Sequence, residues 1–546
     1  MMDFIKKHPE LFTIFGLLCF CGMIFFYGIG SYALMDVDET RYVSMARDMF
    51  HSKDYMTLYL NGNYFFEKPP LYFWGEVLSF LGFGTVNEFT ARVPVALYGT
   101  LSTLLLYFVG RKVVSRKYGV VSALILATSV EFLILAKYAI LDILLATCVE
   151  FAIMSGFLTY FVKEENKKYC WWAFYFFSGL AVLAKGIPGF ALPFGTMFFV
   201  AIFTKRFKEL FRPQYLLVGF VIFFAVVLPW HILMLDKYDP LFFNEYVMKH
   251  HVHRFFNSEG VNRKQPFYFF ALTILWGFCP WILSSLAILL SKIKKIKDIN
   301  LKFNFDEFTN SQKYLLLNFI AFALIFLFFS SSSTKLVTYI VPIYFTMANM
   351  LAFAWVKYLD NKDYAKQINV TTHIWFGILF IASIVAMFTP LFLPKEIYSV
   401  ILPVKWFTIA LLFVFGLFGI LVAKFNKKYL VFTSLVAFVT VLSAFGMGKY
   451  FNLDYSFGQN DLMQYGKYAV ENNLNIITIN NPNRYSLNYY GPKEVKFGEY
   501  ATIQDAFKDG NDKTVYIIRK KSLKLFNDIP QYEMVFDGVK YMLIKP

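Results

Sequence analysis

The chain has 546 residues, 58% of them hydrophobic and 16% charged, with a mean hydropathy of +0.50. A soluble globular protein is excluded, because its surface needs more polar side chains than this balance supplies. The formal net charge of +16 would suit a nucleic-acid binder, but the positive charges sit in short loops between apolar runs, so no nucleic-acid partner is expected.

The first apolar run covers residues 11–34, behind Lys6 and Lys7. Ser31-Tyr32-Ala33 loosely resembles a small-residue cleavage site, yet the run is much longer than the apolar stretch of a signal peptide, so it reads as a retained anchor. Residues 215–235 and 406–423 are further runs of about 20 residues, the length an α-helix needs to cross a hydrocarbon layer of roughly 30 Å. Basic clusters lie between the runs: Arg111, Lys112, Arg116 and Lys117, then Lys163, Lys167 and Lys168, then Lys205, Arg206, Lys208 and Arg212. Lys292, Lys294, Lys295 and Lys297 follow, then Lys357, Lys362 and Lys366, and last Lys424, Lys427 and Lys428. Every second loop is basic, as cytoplasmic loops are. The pattern predicts a polytopic α-helical membrane protein with about thirteen transmembrane helices, its N-terminus inside and its C-terminus outside.

This layout puts residues 35–90, the turns near Lys137 and Lys185, residues 236–266 and residues 330–335 on the external side. Within the first of these, Leu71–Phe83 is apolar and aromatic but too short to span, which predicts a helix lying in the interface. Hydropathy falls from residue 450 onward, where β-rich runs at 476–479 and 515–518 alternate with a helix-like stretch at 502–508. The expected division is therefore a transmembrane domain, 1–449, with its external loop 35–90, and a small extracytoplasmic α/β domain, 450–546. The five cysteines lie in or beside apolar runs without metal-ligand spacing and read as packing residues.

Asp36, Asp38, Glu39 and Arg41 come directly after the first run. They can be a helix start in a solvated loop, or a catalytic acid or base at the membrane face. Glu67-Lys68-Pro69-Pro70 restricts the direction of a lysine whose ammonium suits phosphate; the plainer reading is a lysine that snorkels to headgroups. Asp142 opens an otherwise apolar stretch, where a carboxylate is costly unless used or paired. Lys137 is its nearest candidate partner, although a five-residue separation is not that of facing residues on a regular helix. Lys185 and Lys335 are basic residues at expected external helix ends, each able to snorkel alone or to join a cationic rim. The run Lys249-His250-His251-Val252-His253-Arg254 suits phosphate or headgroup contact, and Glu67 with His251 would bind a divalent cation if the fold brought them together.

These pieces resemble a known family, the membrane-embedded C-type (GT-C) glycosyltransferases, and within it the 4-amino-4-deoxy-L-arabinose lipid A transferases. The resemblance is carried by Asp38-Glu39-Thr40-Arg41-Tyr42, Glu67-Lys68-Pro69-Pro70-Leu71-Tyr72, Leu141-Asp142, His251-Val252-His253-Arg254-Phe255 and the run from Lys335 through Tyr339 to Pro342. It implies that Asp38 is the central catalytic carboxylate, with Asp142 and Glu67 completing the polar cavity. It further implies that Arg41, Lys68, Lys185 and Arg254 hold phosphate, and His251, Lys335 and Tyr339 join this expected substrate-binding set. No cofactor is required under this reading, a divalent cation on Glu67 and His251 being the one option.

The expected partners are a polyprenyl-phosphate sugar donor, an acceptor that is lipid A or another envelope component, and membrane lipids. Cations would neutralise the phosphate that leaves the sugar. Asp38 would act as base toward a hydroxyl acceptor, or would orient groups and steady the sugar ring toward an anionic phosphate acceptor. The leading expectation is transfer of an amino sugar to lipid A at the periplasmic side of a bacterial inner membrane. Transfer to protein, as in O-mannosylation, or to another envelope glycan is the alternative within the enzymes; a transporter of lipid-linked sugar is the alternative outside them. A transporter gathers its polar groups near the bilayer midplane, whereas these charges cluster at helix ends.

Overall fold

The computed structural model describes residues 8–253, 265–293, 304–393, 395–446, 458–480, 484–492, 495–526 and 529–546. The chain begins with α1 (Pro9–Cys21, continued by a wide turn over Gly22–Phe26), α2 (Asp38–Ser52), the short strands β1 (Tyr59–Leu60) and β2 (Asn63–Tyr64), and α3 (Leu71–Phe83). Then follow α4 (Glu88–Val113), α5 (Arg116–Ala127), α6 (Val130–Leu135), α7 (Asp142–Leu158), α8 (Glu164–Lys185), α9 (Ile187–Phe203), α10 (Phe207–Leu210) and α11 (Pro213–Tyr238). A wide helical segment, Phe243–His253, precedes α12 (Phe269–Gly277), α13 (Ile282–Ile293) and α14 (Asn310–Ser331). A tight helical segment, Val337–Ile343, runs into α15 (Tyr344–Leu359), followed by α16 (Ala365–Met387), α17 (Thr389–Phe392), α18 (Lys395–Lys424) and α19 (Lys428–Val441).

Eight helices among the described residues are long and apolar enough to cross a membrane unaided: Pro9–Phe26, Glu88–Val113, Pro213–Tyr238, Asn310–Ser331, Val337–Leu359, Ala365–Met387, Ile401–Lys424 and Lys428–Gly446. About thirteen were expected. The stretches between the eight are helical too, but each is interrupted, short or charged: α5 breaks from α6 at Thr128 and Ser129, α12 from α13 around Pro280, α7 and α9 have 17 residues each, and α8 opens on Glu164 and Glu165. Many of the eight expose large apolar side chains outward, including Val221 on α11 and Ile381 on α16, as lipid-facing helices do. The fold is that of a multi-pass membrane protein. α3 forms as expected, with Tyr72, Phe73, Val77 and Phe80 buried and Leu78, Leu81 and Phe83 exposed. All five cysteines are unpaired.

The loops sort onto two faces. On one, Lys117 meets Asp360 at 2.5 Å, Lys428 donates to the Tyr358 carbonyl at 3.1 Å and Arg206 meets Asp306 at 2.6 Å, so basic loops far apart in sequence share one end of the bundle. On the other, Lys137 donates to the carbonyls of Tyr27 and Ser443 at 3.0 and 3.1 Å, and Lys335 to that of Gln265 at 3.0 Å. α2 and the C-terminal unit sit on this second face.

That unit comprises α20 (Gln459–Glu471), β3 (Asn475–Ile479), α21 (Tyr485–Tyr490), β4 (Val495–Gly498), α22 (Ile503–Asp509), β5 (Thr514–Arg519), β6 (Glu533–Asp537) and β7 (Tyr541–Lys545). Its sheet runs β4-β3-β5-β7-β6, with β4, β3 and β5 parallel and β7 antiparallel to β5 and β6. Alternate residues serve two cores, because successive side chains on a strand point to opposite faces. Ile476, Val515, Ile517 and Leu543 pack with Leu462 and Leu487 on one side; Ile477, Ile479, Ile518 and Ile544 pack with Ile503 and Ala506 on the other. The runs expected at 476–479 and 515–518 lie in β3 and β5, and the stretch at 502–508 overlaps α22. The expected boundary at 449/450 lies outside the described residues.

One ion pair fastens the second face. Arg92, in the first turns of α4, and Glu39, in the first turn of α2, are both fully buried, with Nε to Oε1 at 2.6 Å and Nη2 to Oε2 at 2.8 Å. The remaining guanidinium donors go to the carbonyls of Ile29, Tyr32 and Ala33 at 2.6, 2.8 and 2.9 Å. Glu39 also accepts from the backbone N–H of Met35 at 2.8 Å and of Ala139 at 2.9 Å. All five N–H groups of the arginine are therefore used. Breaking such a pair from one side strands the other charge and costs about 3–5 kcal/mol, whereas replacing both partners by apolar residues costs far less. Arg92→Met is expected to lower the melting temperature in detergent more than the double variant Glu39→Leu/Arg92→Met; a double variant as unstable as the single would contradict this.

Candidate active site

α2 starts at Asp38 because the chain turns there under the Glu39 anchor. The adjacent acids have different surroundings. Asp36 Oδ1 accepts from Thr40 Oγ1 at 2.6 Å and from the Ser486 backbone N–H at 2.9 Å, while Glu39 is spent on Arg92. Two of the three acids thus hold the fold. Asp38 is the one left open, its side chain 40% exposed.

Asp38 Oδ1 meets Arg41 Nη2 at 3.0 Å. The same nitrogen donates to the Tyr42 hydroxyl at 3.1 Å, and the guanidinium lies 4.9 Å from the Tyr42 ring centre and 5.8 Å from that of Phe65. Burial works against the Arg41 charge, but Tyr42, Asp38 and Glu67 more than offset it and hold its pKa above the usual value. Glu67 thus stands within electrostatic reach of Arg41. Arg41 Nε is buried without an acceptor among the described residues. Lys68 is half-buried, its ammonium 3.1 Å from the Glu67 carbonyl.

A second group forms where α7, α8 and the 337–343 segment meet. Asp142, first residue of α7, pairs with Lys185, last residue of α8, and both side chains are 11% exposed. Thr338 Oγ1 donates to Asp142 Oδ2 at 3.0 Å, and the Lys185 ammonium lies 4.0 Å from the ring centre of Tyr339, where the π face attracts a cation. The partner of Asp142 is thus Lys185 and not Lys137. Lys137 is tied to the carbonyls of Tyr27 and Ser443, and burial pushes its pKa down to about 8.

Tyr42 links the two groups. Burial raises the pKa of its phenol, Arg41 lowers it, and Asp38 and Asp142 both raise it, so the phenol feels carboxylates from both sides. The described structure thus gathers Asp38, Arg41, Glu67, Lys68, Asp142, Lys185 and Tyr339. Lys335 is 5% exposed and donates to the carbonyls of Gln265 and Ser332 at 3.0 and 2.5 Å; burial lowers its pKa. Arg254 and the side chain of His251 lie outside the described residues. No cluster of three or more His, Cys, Asp or Glu suited to a metal occurs among the described residues.

Sequence reading gave no role to Tyr42, Arg92 or Thr338. Arg92 had a usable signal, a charge inside a run that spans the membrane, where an unpaired cation is costly. Thr338 had none, since a hydroxyl in an apolar run is common.

A family model described as dolichyl-phosphate-mannose-protein mannosyltransferase matches residues 10–238. Over 425 residues the chain is 26% identical to undecaprenyl phosphate-alpha-4-amino-4-deoxy-L-arabinose arabinosyl transferase 2 of Proteus mirabilis (strain HI4320), covering 76% of this chain and 72% of that protein. An uncharacterized protein of Aquifex aeolicus (strain VF5) is 28% identical over 363 residues, 66% of this chain and 67% of that one. The crystal structure of ArnT from Cupriavidus metallidurans bound to undecaprenyl phosphate superposes with a TM-score of 0.76 at 18% identity, covering 98% of each chain. Fold and relatives together support glycosyltransferase activity in a chain similar to the membrane-embedded C-type glycosyltransferases. The relatives that carry this likeness include 4-amino-4-deoxy-L-arabinose transferases, and the apolar helices make the chain a multi-pass membrane protein.

Asp142 and Lys185 satisfy each other and therefore act as a unit. Asp142→Asn and Lys185→Met are each expected to slow donor consumption, with the double variant little worse than either single. Multiplying losses in the double variant would show that the two residues act separately.

Proposed function

We propose that the protein transfers a sugar, in the leading case an amino sugar, from a polyprenyl-phosphate carrier to lipid A on the periplasmic side of the inner membrane. The observation that carries this reading is the meeting of Asp38–Arg41 with Asp142–Lys185 around Tyr42, on the face opposite the basic loops. Basic loops stay in the cytoplasm, so this pocket opens outward. The names of the aminoarabinosyl transferases among the relatives support the sugar.

When the bond from sugar to carrier breaks, negative charge grows on the carrier phosphate, and cations aimed at it lower the barrier. Arg41 is suited to this because its unpaired Nε offers a donor to a phosphate oxygen, while Glu67 and Asp38 keep the guanidinium in position. Lys185, held over Tyr339, and Lys68 complete the cationic side. Asp38 is the carboxylate that reaches substrate, because it is the more exposed of the two acids; Asp142, enclosed by Lys185 and Thr338, is a positioning residue. With a phosphate acceptor no base is needed and Asp38 steadies positive charge on the sugar ring; with a hydroxyl acceptor it takes the proton. A metal on Glu67 is disfavoured, since the Arg41 guanidinium beside it already supplies the positive charge.

The match of residues 10–238 to a protein mannosyltransferase family favours a second reading, transfer to protein. Purified protein given carrier-linked sugars with either lipid A or a Ser/Thr-rich peptide decides between them; product on lipid A is expected, and product on peptide alone would reject the leading reading. Asp38→Asn is expected to reduce turnover about 10²–10⁴-fold with carrier binding retained, and unchanged turnover would remove Asp38 from the chemistry. Activity is expected to survive a chelator of divalent cations; loss that added metal restores would establish a metal requirement.

A further inference from the structure

A large cavity lies beside the pocket around Tyr42 and shares no lining residue with that pocket's groups. It is a cleft of about 1330 Å³ between α2 and the open edge of the C-terminal sheet at β4. That exceeds the roughly 300–1,000 Å³ of ordinary small-molecule pockets. Ser44, Arg47, Asp48 and His51 line one wall, at the spacing that puts residues on one side of a helix. Asp38 lies on another side of the same helix, while Arg41, three residues before Ser44, stands between the two.

Three features of the cleft point to sugar hydroxyls. Its charges are already balanced in pairs, Arg47 with Asp48 at 3.2 Å and Lys496 with Asp509 at 2.5 Å, so neither an anion nor a cation is selected. The rest of its polar lining is the His51 ring and amide and hydroxyl groups such as Asn61, Asn475 and Asn488, which donate and accept together, as a sugar hydroxyl does. Ser44 is 4% exposed and its Oγ has no partner among the described residues, a buried polar atom that a ligand would satisfy. The apolar Ile476 and Phe497 offer contact for the C–H faces of a ring.

We propose that this cleft is a carbohydrate subsite for the sugar headgroup of the acceptor. The inference rests on the proposed glycosyl transfer. Reach supports it: Ser44 is about 9 Å and His51 about 20 Å along the helix axis from Asp38, at 1.5 Å per residue, so a short glycan in the cleft extends to the Asp38 end of α2. A peptide added to the edge of β4 is the less favoured occupant, because that strand has only four residues.

The test uses the full chain in detergent, with His51→Trp and Lys496→Trp as two independent ways to fill the cleft. Consumption of donor without acceptor is expected to be unchanged in both, which also reports folding, while KM for lipid A rises about tenfold, the loss of one or two hydrogen bonds. A soluble glucosamine disaccharide is expected to bind the unaltered protein and to bind either variant more weakly. Competition by a Ser/Thr-rich peptide and not by the disaccharide would overturn the proposal, as would an unchanged KM in both variants. Absence of donor consumption by the unaltered protein would defeat the glycosyl-transfer reading instead, and direct disaccharide binding, lost on filling the cleft, would then still decide whether the cleft holds carbohydrate.

Discussion

Glu39 and Arg92 meet with no access to solvent, and most of what stands on the second face of the bundle is positioned from that contact. The guanidinium gathers the carbonyls of residues 29, 32 and 33, and the carboxylate gathers the N–H groups of residues 35 and 139. Four pieces of chain are thereby joined: the exit of α1, the first turn of α2, α4, and the turn that leads into α7. Asp38 precedes Glu39 directly and Asp142 follows Ala139 by three residues. The pair therefore sets how the carboxylates of Asp38 and Asp142 stand relative to each other. A buried ion pair is weak evidence for stability because of its desolvation cost, and its role here is to fix geometry.

α2 carries this order into the C-terminal unit. The Tyr490 hydroxyl accepts from the Leu34 N–H at 2.8 Å and donates to Glu88 at 2.9 Å, and Arg47 reaches the Tyr489 carbonyl at 3.0 Å. Asp36, two residues before Asp38, accepts from the first turn of α21. The sheet unit is thus docked on the segment that presents Asp38, and one short helix carries residues of a charged pocket at its start and of a polar cleft further along.

The features readable in sequence are those that depend on local pattern: apolar runs with alternating basic loops, the short apolar α3, and the β-rich runs that became β3 and β5. The order of charged motifs also led to the residues that meet around Tyr42. What sequence could not give were distinctions set by direction or distance. Asp38 and Glu39 are neighbours of similar chemistry, but a helix turns about 100° per residue, which leaves one half-exposed and sends the other into the core. Lys137 is five residues from Asp142 and points elsewhere, whereas Lys185, 43 residues away, is the actual partner. Breaks such as that between α5 and α6, where Val130 N–H donates to the Cys279 carbonyl and Trp281 to Thr128, likewise depend on neighbours distant in sequence.

Labelling with a photoreactive polyprenyl phosphate, followed by peptide mapping, addresses most directly whether these groups share one pocket. Convergence requires adducts both on residues 38–42 and on the 335–339 segment. Adducts confined to the basic loops around residues 111–117, 205–212 or 424–428 would mean that the carrier binds at the opposite end of the bundle.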